Sequence, residues 1–516
     1  MSQSDVNQPG INPDNQYGPT PLKDWLTFIA VVLAASVYAA AWTLPNAVLP
    51  QMQGDLSVNL DQVAWVVTAT VVASAIGIPL TPWLSSRFGS RNLMIYALGT
   101  FSATSILVGT VNTIEEVVLW RVLSAFAGSP IIALSQAVTM NTFPAHKRAF
   151  VFSLWSVGMA SGWVFAPTVG AWLADIVSWR LTFMSVAPFG FAALLFCIIF
   201  LPKDKPDTGM RFDWTGYLTL AVALTMAQIV VNQGYRLDWF KSTQLVILTG
   251  IGLISFYLYL IHTLHCKTPF LSWAIFRDRN LTCSVLITAI YAYSGLVPLV
   301  ILPSMMEELR GVDVFTSGLI VLPRGIANMV GMILAGFAAS RLDPRYLIAG
   351  GLATYSSTSW LMAHYNTSIG IDDVLWPTII QGLSMGFIWV PAMGLMYATI
   401  SSKLRTSAAT MISLTYSLSS SFGVAIAVVI LNRSQQINTA EMREFIEPAR
   451  QIIKDSSIIS DFSDPGELLA VAQEISLQAL ALGYANVYLV MAISALAIIP
   501  LAFLLRIPAK EPLNGI

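Results

Sequence analysis

The chain has 516 residues, 55% of them hydrophobic and 11% charged, and its mean hydropathy is +0.68. Soluble globular domains carry about 25% charged residues, so a water-soluble enzyme or binding domain is excluded and an all-α polytopic membrane protein is implied. The net charge of −1, with no basic run, gives no footing for a nucleic-acid partner.

Residues 1–24 open the chain as a tail rich in Asn, Gln, Pro and Gly, without the cationic start of a signal peptide. Beyond it, apolar stretches of the roughly 20 residues needed to span a bilayer recur. They fall at 25–49, 63–84, 93–112, 116–139, 150–174, 180–201, 214–233, 243–263, 281–304, 316–338, 347–365, 375–397, 409–432 and 482–505. Fourteen spans, an even number, put both termini on one side. Of the 27 Lys and Arg, 17 fall on the loops of the terminal side and 8 on the other, four of those 8 in one long connection. Positive charge marks the cytoplasmic side, so both termini are expected in the cytoplasm and 506–516 is a second short tail.

The long connection, 433–480, reads as two helices folded back at Asp464-Pro465-Gly466. A long ordered loop among short ones suits a docking partner. Cys197, Cys266 and Cys283 are scattered in or beside apolar segments and read as free thiols. His262, His265 and Cys266 close span eight. With no carboxylate or second cysteine pair beside them, they read as an interfacial helix end, and no metal or cofactor is expected.

Span five, in SLWSVGMASGWVFAPTVGAWLA, carries small residues at Gly158, Gly162, Ala166 and Gly170. The four-residue spacing lays them on one face, where another helix can approach closely. Pro167 removes a backbone donor and kinks the helix. The expected role is a close, sliding contact between two halves of the molecule. Arg121 and Arg324 are the two arginines inside spans, and an ionisable group there points to function. Polar and aromatic residues on spans one, four, five, nine, ten, twelve and thirteen suggest a cavity for large amphiphilic solutes. They are Trp42, Asn46, Gln136, Trp155, Tyr291, Asn328, Gln381, Trp389 and Tyr416.

Several stretches resemble a known family. Gly162-x3-Ala166-Pro167-x2-Gly170 resembles the antiporter motif of drug exporters of the major facilitator superfamily. Arg87, Gly89 and Arg91 match that superfamily's cytoplasmic loop motif, with Ser86 in place of its Asp, and Arg121 matches its fourth-helix arginine. Gly318-Leu-Ile-Val-Leu-Pro-Arg-Gly325 and Phe212-Asp-Trp-Thr-Gly216 are similar to the EmrB/QacA-like fourteen-span drug:proton antiporters, and the long outer loop to EmrB-like members. The resemblance implies six-helix bundles at 25–201 and 281–505, joined by a two-helix insertion at 202–280. It implies an inner-membrane exporter of hydrophobic or amphiphilic compounds, of multidrug type and not an enzyme. Its expected partners are the lipid bilayer, a periplasmic adaptor docked near 433–480 and an outer-membrane channel.

Departures from that pattern bear on coupling. Ala41 replaces the family's first-span Asp, Asn232 the Asp of span seven, and Tyr416 the Arg of span thirteen. No acidic residue lies well inside any of the spans counted above. Arg cannot deprotonate to replace one. Carboxylates at the outer ends, with Glu115, Glu116 and Asp175 foremost, become the candidates for proton coupling, and the membrane potential is an alternative drive. With two buried arginines and no buried acid, neutral or anionic substrates are expected over organic cations. Export of one metabolite, such as a siderophore-like product, and a transporter-like sensor that moves nothing are the competing readings.

Overall fold

A computed structural model describes residues 21–144, 147–204, 212–266, 270, 273–339, 341–455 and 465–507. Within these ranges, side chains at 46, 47, 60, 61, 273, 274, 314, 315, 403, 445–455 and 465–468 are outside the description. The described chain is built from seventeen α-helices and short 3-10 turns. They are α1 (Leu22–Asp55), α2 (Leu60–Gly77), α3 (Thr81–Phe88), α4 (Ser90–Val108), α5 (Ile114–Gly128), α6 (Pro130–Thr142), α7 (Arg148–Ile176), α8 (Trp179–Met184) and α9 (Val186–Phe200). There follow α10 (Trp214–Gln233), α11 (Thr243–His265), α12 (Arg279–Arg310), α13 (Val314–Ala339), α14 (Pro344–Met362), α15 (Ile371–Thr399), α16 (Arg405–Asp455) and α17 (Pro465–Leu504).

Twelve helical stretches of the described chain are long and apolar enough to cross a membrane. Of the fourteen expected, the third and eleventh fall on α4 and α14, each 19 residues long and richer in Ser, Thr and Gly. Their buried faces carry Ser102, Thr104 and Ser105, and Ser356, Thr358 and Ser359. Ser105 satisfies its hydroxyl on the Phe101 carbonyl one turn back, at 2.8 Å, while Ser356 donates to the Ala492 carbonyl of α17, also at 2.8 Å.

Helices α1 to α9 pack on one another, chiefly α1 on α7 and α9, α2 on α5, and α4 on α5 and α9. Helices α12 to α17 form a second group through α13 on α15, α14 on α15 and α17, and α16 on α12 and α17. The groups meet where α7 lies against α13 and α15, and α6 against α16. The pair α10 and α11 packs on itself, with α10 touching both α2 and α16. The face where α1 begins also holds the ends of α6, α9 and α17. Trp25 lies 5.3 Å from Phe143, Thr27 donates to the Phe200 carbonyl, and Asn280 at the start of α12 donates to the Arg506 carbonyl at 2.8 Å. We call this the terminal face and its opposite the far face.

Helix α16 continues beyond its apolar part, and 433–455 adds 23 residues, about 34 Å at 1.5 Å per residue. Helix α17 resumes at Pro465, so the expected pair of helices is an extension of two spanning helices; Asp464 lies outside the described residues. Pairing them are Asn486 and Ser434, whose side chains bond at 3.1 Å.

The small-residue stripe of α7 does not face the second group. A Cβ on Gly158 would meet Val32, one on Gly162 the Ser36 carbonyl, and one on Gly170 Leu44 and Thr182. The stripe therefore seats α7 on α1 and α8 within its own group, which corrects the expected sliding contact. The meeting between groups uses another side of α7, where Ser153 and Val164 fill the space left by Gly336 and Gly325 of α13. The physical reason is the helical period: small residues fixed the closest neighbour, and that neighbour is α1.

Candidate functional site

Between the two groups lies a cavity of about 960 Å³. Two helices line it with residues four apart. On α7 these are Met159, Trp163, Pro167, Ala171 and Asp175; on α12 they are Tyr291, Gly295, Leu299, Pro303 and Glu307. The α7 stripe is the face next to the glycines, so close packing on α1 aims Trp163 inward. Five aromatic rings form its deep half. Trp42 stacks on Trp163 at 6.2 Å, and Trp163 meets Tyr416 edge-on at 5.1 Å. Tyr291 stacks on Trp389 at 4.7 Å and stands 6.3 Å from Tyr416.

Arg324 lines the same space while 4% exposed. Its Nε donates to Gln381 Oε1 at 3.1 Å, and its terminal nitrogens donate to the Gly295 carbonyl at 3.1 Å and the Ser294 carbonyl at 2.8 Å. Gln381 is held in turn, donating to Ser359 Oγ at 2.9 Å. Pro298 lacks an N–H, so the Ser294 carbonyl four residues earlier has no helical donor. Arg324 and the Tyr355 hydroxyl, at 3.0 Å, supply two. Among the described residues the guanidinium pairs with no carboxylate, and the groups that meet it are amide and carbonyl oxygens and the Met385 sulfur. The Trp163 indole N–H, the Asn328 Oδ1 and the Ser413 and Ser417 hydroxyls are buried in the lining without a protein partner among the described residues.

Toward the far face the lining turns acidic. Asp175, exposed, accepts from Gln51 at 3.2 Å, and Glu307 accepts from the Ser317 hydroxyl. Toward the terminal face the groups close on each other. Trp389 Nε1 donates to Ser156 Oγ at 3.2 Å, and the Tyr397 hydroxyl donates to Gln136 Oε1 at 3.2 Å. Arg405 donates to the Met140 carbonyl at 3.1 Å and Asn141 Oδ1 at 2.7 Å. The rings of Phe150 and Phe337 add a contact at 5.1 Å. The cavity is thus shut on the terminal side and reaches the far side.

Of the residues expected to bind substrate, the structure gathers Trp42, Gln136, Tyr291, Arg324, Asn328, Trp389 and Tyr416 in this lining. Three stand apart. Trp155 is fully buried, bonded to Ser135 at 3.1 Å and stacked on Phe152. Gln381 is the positioning partner of Arg324. Arg121 faces α1 and α8: it donates to the Ala41 carbonyl at 3.1 Å and lies 5.4 Å from the Phe183 ring. The Asn46 side chain is outside the described residues. Among the expected acids Asp175 reaches the cavity, whereas Glu115 and Glu116 occupy the first turn of α5, where Glu116 accepts from the Asn112 N–H at 3.4 Å. Sequence reasoning missed Trp163, and it placed Glu307 among the outer-end carboxylates without assigning it to the cavity. Counting by fours from Pro167 back to Trp163, and from Tyr291 forward to Glu307, reaches both.

The loop motif is a tight joint. Gly89 has φ +82°, a conformation suited to glycine. Arg91 donates to the Ile198 carbonyl at 2.6 Å, Ser90 N–H to Asp204 at 2.9 Å, and Arg87 is exposed. Asp204, 114 residues on, brings a carboxylate to the motif in which Ser86 replaces the Asp.

Paired helical groups around a central cavity, with a lateral pair of helices, define a secondary membrane transporter. The chain belongs to the Major Facilitator Superfamily, whose family model matches residues 31–424. It is similar to the multidrug export protein EmrB of Escherichia coli, 27% identical over 81% of this chain and 82% of that one. It is also similar to the fatty acid resistance protein FarB of Neisseria gonorrhoeae, 24% identical over 94% and 96%. The proton:xylose symporter XylE has the same fold, with a TM-score of 0.60 at 14% identity over 92% of this chain and 95% of that one.

Proposed function

We propose that the protein exports amphiphilic compounds from an inner membrane by alternating access, taking anionic and neutral molecules in preference to organic cations. The observation that carries this reading is Arg324, a cation that meets no carboxylate among the described residues and lines a large aromatic cavity. An anionic head would pair with the guanidinium in a site of low dielectric, while an apolar body stacks on the five rings. The likeness to a fatty acid resistance protein supports the same class, and the likeness to EmrB supports the multidrug type.

By its surplus of Lys and Arg, the terminal face is cytoplasmic and both termini lie there. The cavity then faces outward, with Gln136, Ser156, Trp389, Tyr397 and Arg405 as the inner gate. The halves 25–201 and 281–505 rock about the central site, with 202–280 as the insertion between them. The motif of Arg87, Gly89 and Arg91 braces the inner face, and Asp175 and Glu307 at the mouth are the groups placed for proton coupling. The helical extensions 433–455 of α16 and 465–480 of α17 project outward, and the connection 433–480 docks an adaptor that leads to an outer-membrane channel.

The test is efflux from proteoliposomes loaded with a medium-chain fatty acid, with the pH gradient and the membrane potential imposed separately. Faster counterflow than in protein-free vesicles is expected. No accelerated exchange under either gradient would rule out a carrier.

A further inference from the structure

The two helices of the insertion meet at the terminal face through one polar cluster. Asp213 precedes α10, and its Oδ1 accepts from the Gly216 N–H at 2.9 Å, capping the helix; Oδ2 accepts from the Phe270 N–H at 3.2 Å. His262, in the last turn of α11, holds Nε2 2.8 Å from Asp213 Oδ1. Cys266 caps the end of the same helix, four residues on and hence on the same face. One ligand atom from each of Asp213, His262 and Cys266 lies within 4.8 Å of the other two, and all three residues are half-buried. In sequence, His262 and Cys266 lacked a carboxylate; folding supplies it from 49 residues away.

We propose that Asp213, His262 and Cys266 form a binding site for a divalent metal ion of the zinc type, with a fourth position open to solvent. The donor set is one carboxylate oxygen, one imidazole nitrogen and one thiolate sulfur. A hard ion would not select the sulfur and a soft monovalent ion would not select the carboxylate, whereas Zn²⁺ accepts all three. In a zinc tetrahedron, ligand atoms stand about 3.3–3.6 Å apart, as bond lengths of about 2.0–2.3 Å require. The side chains therefore need to close by little more than about 1 Å. A carboxylate offers about four lone-pair positions; two serve backbone N–H groups, so one remains beside the position now facing His262. His265 does not join: its ring nitrogen bonds the Ile261 carbonyl at 2.8 Å on an exposed side. None of the three ligands lines the central cavity, so the ion is a fixed clip between the start of α10 and the end of α11 and not a transported solute. Because α10 rests on both α2 and α16, the clip stiffens the element that touches both halves.

Cobalt(II) titrated into the purified full-length protein tests the site. One Co²⁺ per chain is expected, with tetrahedral d–d absorption and a thiolate-to-metal charge-transfer band, both displaced by Zn²⁺. Cys197 and Cys283 are buried in α9 and α12, so the band reports Cys266 and vanishes in Cys266→Ser. His262→Ala should weaken binding by about 100-fold, at the upper end of the 10–100-fold typical even of an outer-shell partner. Asp213→Asn keeps the cap of α10 and should still weaken binding about tenfold or more. Unchanged melting temperatures of the metal-free variants would confirm folding. No stoichiometric Co²⁺ uptake by the wild-type protein, or a band that survives Cys266→Ser, overturns the site.

Discussion

Arg121 and Arg324 carry the same signal in sequence and the same burial, 4% exposed each, yet they occupy different kinds of place. Each docks on the first helix of its helical group, on a carbonyl that a proline has left without a donor. Pro45 lies four residues after Ala41, whose carbonyl receives Arg121; Pro298 lies four after Ser294, whose carbonyl receives Arg324. In lipid a freed carbonyl costs several kcal/mol unless a neighbour satisfies it. Both arginines thus hold a kink. The difference is on their other side: Arg121 is roofed by Phe183, whereas Arg324 lines the central cavity and is oriented by Gln381. A buried charge is a binding site only where its remaining surface is left for a ligand.

Four substitutions test the contrast between the two arginines and their surroundings. Arg324→Gln removes the charge facing the cavity and should cut affinity for an anionic amphiphile at least about 30-fold, the low end of the 2–5 kcal/mol typical of a buried charge partner. Quenching of intrinsic fluorescence, to which Trp42, Trp163 and Trp389 contribute among the 15 tryptophans, reads this as a change in the titration midpoint. Gln381→Leu leaves the charge but frees its Nε. The loss of one bond to a charged group, about 1.5 kcal/mol, predicts roughly a tenfold loss in the same titration. Arg121→Met should leave that affinity within about threefold and instead lower the melting temperature, since the Ala41 carbonyl loses its donor at about 1–3 kcal/mol. Equal loss of affinity in Arg121→Met and Arg324→Gln would erase the distinction.

The smallest effect concerns the anchor between the end of α1 and the start of α8. Asp55 bonds the Trp179 indole at 2.9 Å and pairs with Arg180, and these contacts hold its carboxyl below the usual 3.8. A lowered folded value means that the stabilisation is present above the unfolded value and lost as pH falls through the folded one. The pair is half-exposed, so Asp55→Asn should lower the melting temperature by the order of 1 °C near neutral pH. That gap should close in melts below about pH 4.

The fold was legible where one property repeats. Long apolar runs and the Arg87-x-Gly89-x-Arg91 turn are local features, and they marked the spanning helices and the family. The cavity was legible residue by residue, through Trp42, Tyr291, Arg324 and Trp389, because aromatic and charged groups inside spans have few other uses. What stayed hidden depends on which way a helix turns. Gly162 could have faced either group, and only packing on Ser36 decides it. Trp155 and Trp163 lie eight residues apart on one helix, yet one is core and the other is cavity wall. Asp213 and His262, and Ser90 and Asp204, meet across stretches that no periodicity connects. The i−4 carbonyl of a helical proline was readable all along and locates the partner of each buried arginine.

The central claim is that Arg324 selects the charge of the substrate. Competition for transport in proteoliposomes tests it most directly, with a labelled medium-chain fatty acid challenged by an unlabelled anionic amphiphile and, separately, by a lipophilic phosphonium cation. The anion should compete at concentrations at least about tenfold lower, and Arg324→Gln should abolish that advantage. A cation that outcompetes the anion in the wild-type protein would contradict the account.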